Sequence, residues 1–243
     1  MNIESDPTTG FKKLNFLLNN PPFPPETFPN LILLYCKYQH FDLAADVLAE
    51  NADLTYKCLS TEDFEFLETF ILYQSSKEEA YAKFELLANT HIDTLRKKTK
   101  SIQDARLARD SKAITTALQE YDLALDQYIP VLMMQAKVYW DKGNYAQVEK
   151  IFRMSAEYCS EHETWKLNVA HVFFMQDQKY KDAIRYYEPF VRRQMDDLLS
   201  ITAIVLANLC VSYIMTSQNA DAEELMKCVE KEEDRIGIEE PTK

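Results

Sequence analysis

A chain of 243 residues in which 47% of side chains are hydrophobic can bury a large core, yet it contains only three glycines, Gly10, Gly143 and Gly237. A β-rich fold needs far more turn glycine, and P-loops, dinucleotide fingerprints and kinase loops need it clustered, so these classes are excluded. The net charge of −12 argues against nucleic acid as the main partner, because phosphate binding needs a basic surface.

Residues 1–10 are polar and read as a disordered N-terminal segment without a signal peptide. Residues 11–19 form a short amphipathic helix. Residues 20–30, NPPFPPETFPN, hold five prolines and cannot be helical in their first half. That run reads either as a proline-rich ligand or as an ordered connector, and the apolar helices on both sides favour the connector. Paired helices follow. Tyr35 ends a first helix, and Phe41, Ala44 and Leu48 line a second. Phe64, Leu67 and Ile71 precede a Ser75–Ser76 turn, with Ala80 and Phe84 beyond it. The stretch 92–127 fits a paired pattern worst and suggests longer helices carrying Ile92, Leu95 and Ile102, then Ala113, Leu118 and Tyr121.

The clearest unit is 135–155. A helix runs to Trp140, Asp141-Lys142-Gly143-Asn144 breaks it, and Tyr145 opens another with Val148, Ile151 and Phe152 at helical spacing. Pro130 is expected just inside the start of the first of these helices, where its missing N–H costs nothing. Trp165, Val169, Ala170 and Phe173 then precede Tyr180, Ala183, Tyr187 and Pro189. Leu206, Leu209, Cys210 and Tyr213 precede Ala222 and Met226, after a longer step containing Arg192–Asp197 that extends a helix or inserts a loop. The small position of each second helix falls at Ala44, Ala80, Ile114, Val148, Ala183 and Ala222, at intervals of 36, 34, 34, 35 and 39 residues. A small side chain there lets two helices approach while aromatics fill the remaining gap, which is the tetratricopeptide pattern. The expected fold is an all-α, right-handed superhelical tetratricopeptide-repeat solenoid of about six helix pairs over 11–230. A charged tail or linker over 231–243 completes the chain.

Residues 198–220 carry no charge and are long enough to span a bilayer, but eight polar side chains dilute them, and a helix buried all round in a solenoid reads the same way. The five cysteines are widely spaced with no CxxC pair and behave as small core hydrophobes, pointing to a reducing compartment. Residues 96–112 carry a net +5, a solvated helix face or a dock for an acidic partner, whereas 219–243 carry −5. The four histidines make no HExxH, and Cys159 with His162 lacks a second ligand pair. No metal, cofactor or nucleophile–base pair is expected, so the default reading is a non-enzyme.

What remains is surface. First helices of such repeats line a concave groove in which asparagine amides hold an extended peptide backbone with both donor and acceptor. Asn168 and Asn208 occupy equivalent places in the fifth and sixth first helices, and Lys137, Lys166 and His171 can join them. A local cap or interhelix bond is the alternative for either asparagine.

The segments KKLNFLL (12–18), NPPFPPETF (20–28), LYCKYQHFDLAADVLAEN (34–51), YIPVLMMQAKVYW (128–140), WKLNVAH (165–171) and AIVLANLCVSYIMTSQNADAEEL (203–225) resemble the tetratricopeptide repeat protein 30 family, also known from the fleer and dyf-1 proteins. The resemblance implies an internal-to-C-terminal fragment of a longer subunit of intraflagellar transport complex B, with further repeats outside it. It implies a scaffold at the cilium or flagellum and basal body, on the cytoplasmic side, that wraps an extended proline-rich segment of intraflagellar transport protein 52. Other core subunits and kinesin-2 are further implied partners. A role in cilium assembly and, through transport, in tubulin polyglutamylation follows. A chaperone-type peptide adaptor and a non-catalytic polyglutamylase subunit are the alternatives.

Overall fold

The computed structural model describes residues 6–239, all of whose regular structure is helical, with no strand among them. It divides into two compact units, residues 1–93 and 94–243.

In the first unit, α1 (Pro7–Leu18) begins at a proline that needs no N–H partner, and the Asp6 carboxylate accepts the Thr9 N–H at 3.1 Å. The disordered segment expected over 1–10 therefore gives way to helix from Pro7, and residues 1–5 lie outside the described residues. The proline-rich run forms the link into α2 (Thr27–Lys37). There follow α3 (Phe41–Glu50), a short α4 (Ala52–Cys58), α5 (Thr61–Ser75) and α6 (Lys77–Ala108). Phe28, Leu31, Ile32 and Ala44 are fully buried at the centre, and α1 closes over them through Phe11, whose ring stacks on Tyr35 at 5.0 Å. Phe66 on α5 meets Phe84 on α6 at 5.9 Å.

The second unit holds the end of α6, then α7 (Ser111–Trp140), α8 (Tyr145–Cys159), α9 (Glu163–Phe174), α10 (Tyr180–Arg193), a 3-10 helix (Met195–Ser200), α11 (Ala203–Met215) and α12 (Asn219–Glu239). Helix pairs α7–α8, α9–α10 and α11–α12 pack in sequence, as do α8 on α9 and α10 on α11. Ala170 and Ala183 are fully buried where α9 meets α10, and Tyr187 fills the space beside them. Five of the six small positions are buried; Ile114, in the stretch with the weakest pattern, is only partly so.

Three expectations are corrected here. Separate helices were expected on either side of residue 92 and again at Pro130; instead α6 runs 32 residues and α7 runs 30. No glycine interrupts either stretch, and the one proline, Pro130, does not force a turn. Pro130 consequently lies deep inside α7 rather than at a helix start. Its ring faces solvent while Tyr128, Ile129, Val131 and Leu132 are buried around it, and that burial carries the helix across the missing hydrogen bond. The step around Arg192–Asp197 ends α10 and forms the 3-10 helix, with Asp197 in a non-helical conformation. The stretch expected as a tail from 231 continues α12 to Glu239, and residues 240–243 lie outside the described residues. Within the uncharged stretch 198–220, α11 has only 13 residues, and no described helix is long and apolar enough to cross a membrane.

Pro130→Ala restores a donor to the Asp126 carbonyl one turn earlier. It is expected to stabilise the protein by about 1–3 kcal/mol, less than the full helix-interior proline penalty because the native chain has already relaxed around the ring. Chemical denaturation of the two forms checks this.

The hairpin turns share one device. Gln39, Arg109, Gly143, Gln178 and Ser217 take positive φ, each just past the helix that opens a hairpin. At four of these turns the next residue's N–H reaches back five residues to a helical carbonyl: His40 to Tyr35, Asp110 to Ala105, Asn144 to Tyr139 and Gln218 to Tyr213, at 2.8–3.3 Å. This closes the helix end as a Schellman motif does. Around Gly143 an added Cβ would meet nothing within 4 Å, so glycine is there for its backbone freedom alone.

Candidate functional site

The hairpin α7–α8 and the helix α9 enclose a cavity of about 260 Å³. Met133, Lys137 and Trp140 come from α7, Val148 and Phe152 from α8, and Asn168 and His171 from α9. The local sequence explains the convergence. Lys137 and Trp140 lie three apart on one face of α7, and Asn168 and His171 three apart on one face of α9. Trp140 is fixed by an edge-on contact with Tyr145 across the turn, centroids 5.1 Å apart. Asn144 caps α8, its side chain accepting the Gln147 N–H.

Of the five residues singled out from the sequence, the structure brings Lys137, Asn168 and His171 to this cavity. The Lys137 ammonium donates to Asp141 at 2.8 Å. The Asn168 amide donates to the Thr164 carbonyl of its own helix at 2.8 Å, leaving its oxygen and second N–H. Asn208 holds the equivalent place on α11 but is buried. Its Nδ2 donates to the Tyr187 hydroxyl at 3.1 Å and lies 3.3 Å from His171 Nδ1. Asn208 thus stands behind His171 rather than on the cavity wall. Lys166 turns to a different groove, lined also by Glu163, Arg185 and Phe190, and pairs with Glu161 at 2.8 Å. Trp140 and Tyr187 were read from the sequence only as packing residues. Aromatic side chains in register with the candidate polar ones were the signal that pointed to them.

Burial pushes the Tyr187 hydroxyl up to about 12, partly offset by the hydrogen bond from Asn208, so it stays protonated. Burial also lowers the pKa of His171, keeping the ring neutral at pH 7. Its folded value lies below the ordinary 6.5, so between the two the unfolded chain binds more protons and stability rises with pH. The His171 contribution is therefore complete above 6.5 and is lost as pH falls through that value toward the folded one. Tyr187 and Asn208 meet the ring directly, and Lys137 shares its cavity. His91 in the first unit shifts the same way, by burial that the charges of Glu62 and Glu65 only partly oppose, so the test is a difference. Between about pH 7 and about pH 5.5, wild type is expected to lose more stability than His171→Gln, measured by urea denaturation at each pH.

Elsewhere, a larger cavity of about 460 Å³ lies among α10, α11 and α12, with Glu188, Asp221 and Glu224 about an apolar floor of Val191, Leu209 and Leu225. Helix α11 exposes a face without charge, formed by Ile204, Ala207, Val211, Ile214 and Met215. All five cysteines are free thiols. Cys159 is fully buried, and burial raises its thiol to about 12, so it is a core residue. No group of residues suited to a metal ion occurs among the described residues.

Comparison with known proteins bears on the family. The family model described as intraflagellar transport protein 70 C-terminal domain matches residues 27–243. Intraflagellar transport protein 70A of Xenopus tropicalis is 59% identical over 243 residues, covering 100% of this chain and 37% of that protein. The protein of the same name from Danio rerio is 58% identical over the same span, and that from Homo sapiens 57%, covering 36% of its length. The chain thus spans a little over a third of the length of the curated relatives it matches. Intraflagellar transport protein 70 and tetratricopeptide repeat protein 30 are two names for one family. The matched model is the C-terminal part, which corrects the expectation of an internal-to-C-terminal fragment. With the family model matching residues 27–243 and relatives aligned along its whole length, this chain belongs to the intraflagellar transport protein 70 C-terminal domain family.

Proposed function

We propose that this chain is part of a non-enzymatic scaffold subunit of intraflagellar transport complex B, akin to fleer and dyf-1. In this reading its helix pairs form a tetratricopeptide-repeat superhelix that grips an extended, proline-rich segment of intraflagellar transport protein 52. The subunit serves cilium assembly and intraciliary transport at the cilium and basal body, alongside other core subunits and kinesin-2. It bears on tubulin polyglutamylation by delivering the enzyme rather than by catalysis.

The observation that carries the reading is the cavity walled by Lys137, Trp140, Asn168 and His171. It offers an aromatic ring and several polar groups at the junction of three helices, the combination that an extended peptide needs for both burial and orientation. The uncharged exposed face of α11 adds apolar area of a kind seldom left bare without a partner. The name carried by the relatives supports a role in intraflagellar transport.

The test is co-purification of the tagged, full-length protein with the proline-rich segment of intraflagellar transport protein 52. A one-to-one complex that survives about 1 M salt, where exposed ion pairs are screened within ~3 Å, is the expected result. Its absence, or its loss in modest salt, overturns the reading.

A further inference from the structure

The cavity of about 460 Å³ among α10, α11 and α12 shares no lining residue with the one around His171. Its floor is apolar. Val191 from α10, Leu209 from α11 and Leu225 from α12 are buried there, and Met195, at the start of the 3-10 helix, stays 41% exposed beside them. Three carboxylates stand around this floor. Glu188 is satisfied. Arg192, one turn further along α10, donates to it, and so does the buried Tyr213 hydroxyl, which burial and the charge of Glu188 keep protonated. Asp221 and Glu224 are not satisfied. Both are exposed on α12, and neither side chain has a hydrogen bond or ion pair among the described residues. Arg192, the cation in the cavity wall, is thus spent on Glu188. Asp196 and Asp197, exposed on the adjoining 3-10 helix, add charge of the same sign.

That sign excludes phosphate-bearing ligands and anionic membranes as occupants. A single metal ion does not match either, because no group of described residues converges suitably for one. What fits is a ligand whose cations are spread out and whose body is apolar. Asp221 and Glu224 lie three apart, neighbours on one face of α12, the spacing at which a second helix presents cations one turn apart. A lysine or arginine stem covers apolar surface while its head stays at the rim, and an apolar side chain on the same face fills the floor. We propose that this cavity is a docking groove for a basic amphipathic helix of a partner protein, with an apolar anchor seated on Val191, Leu209 and Leu225 and its cations paired with Asp221 and Glu224. The groove is separate from the surface assigned above to the proline-rich segment and does not depend on that reading.

Calorimetry on the full-length protein tests this. The probe is a synthetic helix with leucines along one face, flanked by lysine and arginine. Matched peptides carry glutamine in place of the cations, or serine in place of the leucines. The basic peptide is expected to bind, and each replacement to weaken it at least about tenfold. Asp221→Asn with Glu224→Gln changes two exposed side chains and should leave the fold intact. It is expected to weaken the basic peptide at least about tenfold, as loss of charge-assisted hydrogen bonds does. Raising salt from about 50 mM to about 500 mM shortens the screening length roughly threefold; binding of the basic peptide to wild type should weaken, and residual binding to the double variant should hardly move. Co-purification with the proline-rich segment should be the same for both forms, so this inference and the proposed function fail separately. No binding of the basic peptide, equal binding of the three peptides, or undiminished binding by the double variant would overturn the inference. Self-association of the protein that the double variant abolishes would make a second copy the occupant and would overturn it too.

Discussion

Tyr187→Ala is expected to abolish cooperative folding of residues 94–243. The ring is fully buried between α9, α10 and α11, and deleting such a ring costs about 3–5 kcal/mol. The same change leaves Asn208 and His171 without their shared oxygen, adding roughly 1–3 kcal/mol for buried groups left unpaired. Together these approach the total stability of a typical domain, about 5–15 kcal/mol. Tyr187→Phe keeps the ring and loses only the hydroxyl, so it should cost about 1–2 kcal/mol. Urea denaturation followed by fluorescence separates the two, since both tryptophans, Trp140 and Trp165, lie in this unit. Trp165 is a sensitive reporter because its indole N–H donates to the buried Ser155 hydroxyl at 2.9 Å. Equal losses from alanine and phenylalanine would mean that the hydrogen bonds, and not the ring, hold this junction.

The second large effect is expected on binding rather than on folding. Ile204 and Val211 sit on the exposed face of α11, 60% and 41% accessible. Ile204→Lys with Val211→Lys places two charges where the proposed partner would bury apolar surface. Affinity for the proline-rich segment of intraflagellar transport protein 52 is expected to fall at least about 100-fold, the scale of an interface hot spot. Stability should move by no more than ~0.5 kcal/mol per site, because lysine is a good helix former and both positions face solvent. Calorimetric titration and denaturation of the same double variant measure both. Undiminished binding would mean that this face is not part of the interface.

Much of the pairing was legible because its cause is local. Alanine at 170 and 183, with aromatics at 173, 180 and 187, encodes a close helix–helix approach in residue size alone, and Ala170 and Ala183 are indeed sealed against each other's helices. The turn at 141–144 was legible through Gly143. The others were harder to see because Gln39, Arg109, Gln178 and Ser217 take the left-handed conformation without being glycine. There the geometry is imposed by the packing of the flanking helices, not announced by the turn residue. Longer helices were expected over 92–127, but how far α6 and α7 run was not legible, for the converse reason. Repeat spacing predicts a break, but no breaker stands near residue 92, and the lone breaker in α7, Pro130, is outweighed by its buried neighbours.

The candidate site divides in the same way. Asn168 and His171, three apart, share a helix face, whereas Lys166 precedes Asn168 by two residues, about 200° around the helix. Helical phase alone therefore separates Lys166 from the cavity, and the structure places it with Glu161. An interhelix bond was one of the two readings held for Asn208, but which of them applied was not legible. It depends on a contact with His171 across 37 positions of sequence, and no local pattern encodes which of two equivalent asparagines will be covered by a neighbouring tyrosine.

The central claim is that the extended partner segment lies along the face presented by Lys137, Asn168 and His171. Site-specific photo-crosslinking tests it most directly, with a benzophenone side chain introduced at Lys137 of the full-length protein and, as control, at Met154, which is 74% exposed on α8 and outside this cavity. In the presence of the proline-rich segment of intraflagellar transport protein 52, the account predicts a crosslink from position 137, mapping to the prolines, and none from position 154. A crosslink from 154 alone, or from neither position while the complex remains intact, would place the partner elsewhere and contradict the account.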